Sequence, residues 1–384
     1  MTIYGTRPEA IKLAPLVLEL RAHATLTPRV VVTAQHRSML DQVNQVFGIA
    51  PDHDLNIIKP RQSLAEITTH AISGLQPIIE AEQPAAIVVQ GDTTTTVAAA
   101  LAGFYNQVPV VHLEAGLRTY DRYSPFPEEI NRRLTSQLAS LNLAPTATSR
   151  NNLLAEGIPS ADIVTTGNTV IDALLWANAR QLDYGDPELA GIDDDPRRVL
   201  LVTAHRRESW GEGMNSIGRA LAAVARAEPG LLIVFPIHRN PVVREAIEPV
   251  VRGMDNVLLI EPLAYGSFAR LMARATIVLT DSGGVQEEAP SLGKPVLVMR
   301  DNTERPEAVS AGTARLIGTE EKRIVAEVQN LLHNEAAYEA MANAVNPYGD
   351  GHAAPRSVAA IARMIYGGPP PDEFMPYTAP KHPH

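Results

Sequence analysis

The sequence predicts an α/β protein of two doubly wound domains, and three observations carry that expectation. Short continuous apolar runs alternate with amphipathic stretches along the chain, the pattern of parallel strands covered by helices on both faces. The runs form two series, separated by a segment rich in Asp, Gly and Pro at residues 182–198. The chain has 384 residues, 45% of them hydrophobic, which exceeds one compact core and suffices for two.

In the first series the strands are expected at 29–33, 86–90, 108–112 and 141–144. In the second they are expected at 199–203, 231–236, 257–261, 277–280 and 295–299. The domains are expected at 1–166 and 167–354. A returning helix at 355–366 completes the first, and 367–384 is a Pro-rich tail expected to be disordered. Only four residues precede Gly5, where a buried parallel strand commonly has five or six. The expectation is therefore a trimmed first strand, to which added upstream residues would bring stability more than chemistry.

Composition narrows the function. There is no cysteine, which excludes disulfides, thiolate nucleophiles and Cys-ligated metals. With 33 basic against 43 acidic residues the net charge is −10, which disfavours nucleic acid but not a small anionic ligand. No apolar run reaches membrane-spanning length, and the start lacks a signal-peptide pattern, so a cytoplasmic protein without membrane contact is expected.

Open parallel sheets bind ligands at the carboxyl ends of their strands, and two such sheets can face a central cleft. The informative residues do follow the strands. Gly5, Thr6, Arg7, Pro8 and Glu9 open a helix with Lys12 one turn on; Glu9 complements the helix dipole. Arg7 and Lys12 read either as solvated cations or as groups facing the cleft. Asp92, after Gln90-Gly91, reads as an N-cap or as a carboxylate aimed into the crevice, and Glu114 repeats the pattern at the next strand end. Glu128 and Arg132 are four apart on one helix face, as are Glu129 and Arg133; one pair faces water and the other could orient a carboxylate. His205 and His238 each follow a strand of the second series and are structural histidines, phosphate ligands or proton donors. No histidine pair has metal-ligand spacing on a helix, so no catalytic metal is expected. The strongest signal runs from Thr280 through Asp281, Ser282, Gly283 and Gly284 to Glu288. There a strand enters a glycine turn and a helix, with amides for phosphate oxygens and a carboxylate for ribose hydroxyls. Arg305 follows the next strand.

Together these segments closely resemble the bacterial non-hydrolysing UDP-N-acetylglucosamine 2-epimerases. The resemblance is carried by GTRPEAIK, TAQHR, QGDTTT, HLEAGLR, PFPEEINRR, TAHRRE and TDSGGVQEEAPSLGKPVLVMRDNTERPEA, between Ile3 and about Tyr366. It implies two Rossmann-like domains in the glycosyltransferase-B arrangement, and interconversion of UDP-GlcNAc and UDP-ManNAc without a redox cofactor. By position it gives Ser282, Gly283 and Gly284 the phosphates and Glu288 the ribose. Arg7, Lys12, His205 and Arg305 would surround the diphosphate, with Leu263 and Phe268 near the uracil. Asp92, Glu114 and Glu128 match the catalytic carboxylates, with Arg132 supporting Glu128. The resemblance also implies a homodimer and a second, regulatory UDP-GlcNAc to which Gln35, Arg61, Arg206 and His238 would contribute. The implied path is elimination of UDP to 2-acetamidoglucal and re-addition. A hydrolysing epimerase releasing ManNAc and a UDP-sugar glycosyltransferase are the alternatives.

Overall fold

The structure, a computed structural model, describes residues 1–34, 37–59 and 61–376, apart from the side chain of Ser38. The chain forms two compact units: Met1–Leu175 with Tyr348–Met375, and Trp176–Pro347. Each is a wholly parallel sheet with helices between its strands.

In the first unit the strands are β1 (Thr2–Tyr4), β2 (Val30–Val32), β3 (His53–Asp54), β4 (Ile87–Gln90), β5 (Val110–Leu113), β6 (Leu141–Ala144) and β7 (Ile163–Thr165). Their order is β3-β2-β1-β4-β5-β6-β7. Strand β1 has only three residues, all buried, yet pairs with β2 on one side and β4 on the other. The winding reverses between β1 and β4, which opens a crevice at their carboxyl ends. Ile3, Val31, Ile87, Val89 and Val110 form the core with Leu75, Ile79 and the alanines of helix Thr94–Tyr105.

In the second unit β8 (Arg198–Thr203), β9 (Leu231–Pro236), β10 (Val257–Ile260), β11 (Ile277–Thr280), β12 (Val296–Val298) and β13 (Ala314–Leu316) lie in the order β10-β9-β8-β11-β12-β13. Here the reversal falls between β8 and β11. The turns that follow those two strands are therefore neighbours, although 77 residues separate the hydrogen-bonded hydroxyls of Thr203 and Thr280.

The units divide at Leu175 and Pro347 rather than at 166 and 354. The reason is local: Ile171 and Leu174, early in helix Thr169–Ala179, are buried, and Asp172 receives the amides of Ala353 (3.2 Å) and Ala354 (2.8 Å) at the start of helix Ala353–Tyr366. The expected linker at 182–198 is packed. Tyr184, Leu189 and Ile192 are buried, and Arg270 and Arg274 donate to the carbonyls of Leu182 (2.9 Å) and Ile192 (3.0 Å). The tail also departs from expectation as far as residue 376. The Phe374 ring is buried and its amide reaches Thr165 O at 2.7 Å, so this segment covers the open edge of β7.

Candidate functional site

In the first unit, the two turns at the winding reversal are held by one buried carboxylate. Glu9 Oε2 accepts the amides of Gly5 (3.0 Å) and Thr6 (2.8 Å), and Oε1 accepts the hydroxyls of Thr93 (2.8 Å) and Thr96 (3.1 Å). Burial raises its pKa, against the hydrogen bonds from Thr6 and Thr93. Glu9 thus does more than complement a helix end: it fixes the segments that carry Arg7 and Asp92. Arg7 itself is exposed in the first turn of helix Arg7–Ala22.

Lys12 is engaged by a carboxylate. Its Nζ lies 2.5 Å from Glu114 Oε1, so in this structure it serves as a counter-ion to Glu114. Glu114 also accepts from Gln90 Nε2 and from Asn168 Nδ2 (3.0 Å). Its backbone is left-handed at φ 62°, a conformation costly for a side chain with a Cβ and kept only where surroundings enforce it. Here three donors from separate elements fix the carboxylate.

Asp92 is placed differently. Arg132 Nη2 approaches its Oδ2 at 2.5 Å, and Asn131 Nδ2 donates to its carbonyl at 2.9 Å. Burial nonetheless raises the Asp92 pKa, outweighing the Arg132 charge, and the neighbouring Glu114 adds to the rise. His112, wholly buried and pushed down to about 4 by desolvation, is a neutral strut. Its Nε2 lies 2.7 Å from Gly91 O and its Nδ1 3.2 Å from Ser136 Oγ, which fixes the turn before Asp92.

The expected pairing on helix Glu128–Leu138 is corrected. Arg132 supports Asp92 and Glu129 (3.3 Å) rather than Glu128, and Arg133 reaches Glu156 (3.2 Å) rather than Glu129. The helix is turned so that Glu129, Asn131, Arg132, Thr135 and Ser136 are inside. Glu129 is spent on the amides of Thr119 (3.0 Å) and Tyr120 (3.2 Å). Glu128 stands half-buried at the head of the helix.

In the second unit, the reversal brings His205 and Arg206 (after β8) against Asp281, Ser282 and Gly283 (after β11). A methyl group at Gly283 would meet Arg206 Nη2 at 3.7 Å and the Arg305 guanidinium at 3.8 Å. Two guanidinium groups therefore converge on the glycine turn, a geometry suited to phosphate oxygens. Arg305 is steered by buried Glu287, and its loop is tied down by the Thr303 hydroxyl on Gln286 Oε1 (2.7 Å). Glu288 accepts from the Tyr265 hydroxyl at 3.1 Å, and its Oε2 lies 3.8 Å from where a Cβ on Gly284 would stand. Ser282, Leu263 and Phe268 are half-buried, Phe268 on helix Tyr265–Arg274.

Of the residues expected at a regulatory site, Gln35 lies outside the described residues. Arg61 is exposed in a turn of the first unit, while Arg206 joins the glycine turn and the His238 ring stacks on His205, 5.8 Å between centroids. Sequence reasoning missed Gln90, His112, Asn131, Asn168 and Tyr265 as partners of the site. Among the described residues no group of three or more His, Asp or Glu could hold a metal ion, and no helix is long and apolar enough to cross a membrane.

Two parallel sheets, carboxylates of unlike environment at one winding reversal and an arginine-lined glycine turn at the other define an enzyme for an anionic nucleotide-linked substrate. The family described as UDP-N-acetylglucosamine 2-epimerase matches residues 18–362. The UDP-N-acetylglucosamine 2-epimerase of Escherichia coli K12 is 54% identical over 367 residues, covering 94% of this chain and 97% of its own length. That of Salmonella typhimurium is 53% identical over 366 residues, with the same coverage. The crystal structure of UDP-GlcNAc 2-epimerase from Neisseria meningitidis bound to UDP-GlcNAc superposes with a TM-score of 0.84 at 51% identity, over 94% of this chain and 99% of that one. The chain belongs to the UDP-N-acetylglucosamine 2-epimerase family. It is an isomerase, and its activity is 2-epimerisation of UDP-GlcNAc.

Proposed function

We propose that this enzyme is of the non-hydrolysing type and reversibly converts UDP-GlcNAc to UDP-ManNAc by eliminating and re-adding UDP. The C2 hydrogen of the sugar is not acidic, so its removal must accompany departure of the anomeric diphosphate. A base takes the C2 proton, the C1–O bond to UDP breaks, and the C1=C2 double bond of 2-acetamidoglucal forms. UDP then returns to C1 as a proton is delivered to the other face of C2.

The observation that carries this reading is the contrast between Asp92 and Glu114. Carboxylates that must exchange protons on two faces of one ring need different environments. Asp92 is half-buried with a raised pKa, and Glu114 is paired with Lys12 and accepts from two amide donors. Asp92, its pKa raised, is thus the group suited to hold and release a proton, with Glu128 as the third acid. The Ser282–Gly283–Gly284 turn with Arg206, Arg305 and His205 takes the diphosphate. Positive charge there stabilises the leaving group. Glu288 holds the ribose, and Leu263 and Phe268 line the uracil. A homodimer and a second, activating UDP-GlcNAc complete the proposal. Incubation with UDP-GlcNAc, followed by NMR, tests the type: UDP-ManNAc at constant total UDP-sugar is expected, and free ManNAc as main product overturns it.

A further inference from the structure

Asp281 has no part in the roles assigned above, yet it is completely buried at the centre of the second unit's glycine turn. Its Oδ2 accepts both the His205 amide (2.7 Å) and the Arg206 amide (2.8 Å). Its Oδ1 lies 2.9 Å from His205 Nδ1, and among the described residues no other donor reaches that oxygen. A buried acceptor is left unmatched unless its neighbour carries a proton. The arrangement therefore requires a hydrogen on His205 Nδ1. That makes Nε2 the nitrogen left for other work.

We propose that Asp281 is a positioning residue that acts through His205, fixing the Nδ1–H form of the ring so that Nε2 serves the diphosphate. The inference rests on the reading of His205 at the diphosphate. The groups facing the imidazole agree with it. His238 stacks on it, and because His238 Nδ1 accepts the Asn240 amide (3.2 Å), that ring carries its own proton on Nε2. Burial, and then the charges of His205 and Arg244, lower the pKa of His238 against the opposing pull of Asp281. Of the pair, His205 is the ring with a carboxylate beside it. As an imidazolium, its Nε2–H donates to a diphosphate oxygen while the C1–O bond breaks, and no bond to the ring is made or lost. Asp281 keeps its charge throughout because the His205 contacts outweigh the burial that opposes ionisation, and its pKa is lowered.

Two-bond ¹H–¹⁵N spectra of the full chain, with His205 assigned by difference from H205Q, test this. The native protein at alkaline pH is expected to show the Nδ1–H tautomer. In D281N the amide hydrogens face Nδ1, so the tautomer changes to Nε2–H. Turnover is expected to drop about tenfold or more in kcat, with KM moved little, and D281N in an H205Q background should add no further loss. An Nε2–H tautomer in the native protein overturns the inference, whether or not D281N folds. So does an undiminished effect of D281N in the H205Q background, since that makes Asp281 only a backbone anchor. H205Q with native turnover and native UDP affinity overturns the diphosphate reading of His205, and the functional part of the inference with it.

Discussion

Lys12→Met separates the two readings of Lys12, as a free cation for the diphosphate or as the counter-ion of Glu114. The side chains of Lys12 and Glu114 are 15% and 6% exposed, so removing the cation strands a nearly buried carboxylate. Breaking a buried pair in this way costs about 3–5 kcal/mol when the remaining charge is uncompensated. Gln90 and Asn168 still donate to Glu114, which brings the expected loss below that range, to about 2–3 kcal/mol at pH 8. In a unit of this size that is roughly a 4–12 °C fall in the melting transition. Scanning calorimetry at pH 8 should show K12M melting below native protein, and K12M/E114Q should recover most of the loss. Equal melting of K12M and native protein at pH 8 would refute the pairing.

Asp92→Asn is expected to lose at least about a hundredfold in turnover while melting no lower than native protein at pH 7.5. A raised folded-state pKa means the folded protein binds its proton more tightly, so the native Asp92 contributes less stability as pH rises through that range. A lower melting temperature in calorimetry would contradict this. Gly116→Ala should unfold earlier by roughly 2–4 kcal/mol in urea, because φ is 93° and the new methyl would stand 2.2 Å from Ser149 O. Arg206→Ala should weaken UDP about tenfold by calorimetry; unchanged affinity removes Arg206 from the phosphate site.

Every strand expected from a continuous apolar run is present, with ends shifted by a residue or two. The three that escaped, β3, β7 and β13, are all at sheet edges. Edge strands are covered on fewer sides and need no long apolar run; His53–Asp54 carries none at all. Site positions were legible for a related reason, since an acid or glycine directly after a buried strand falls at the carboxyl end of the sheet. Their partners were not. Spacing put Arg132 with Glu128, but only the rotation of the helix against the sheet decides that it meets Asp92. Asn168 reaches Glu114 across 54 residues of sequence, and His205 reaches Asp281 across 76, contacts set by winding order and by no local pattern.

The central claim is that C2 loses its proton to the enzyme while UDP leaves and returns. Turnover of UDP-GlcNAc in D2O, with both UDP-sugars isolated and examined by NMR, tests it directly. The account predicts deuterium at C2 of the UDP-ManNAc formed and, as the reaction runs back, of the UDP-GlcNAc that remains. UDP-ManNAc formed with protium retained at C2 would contradict it.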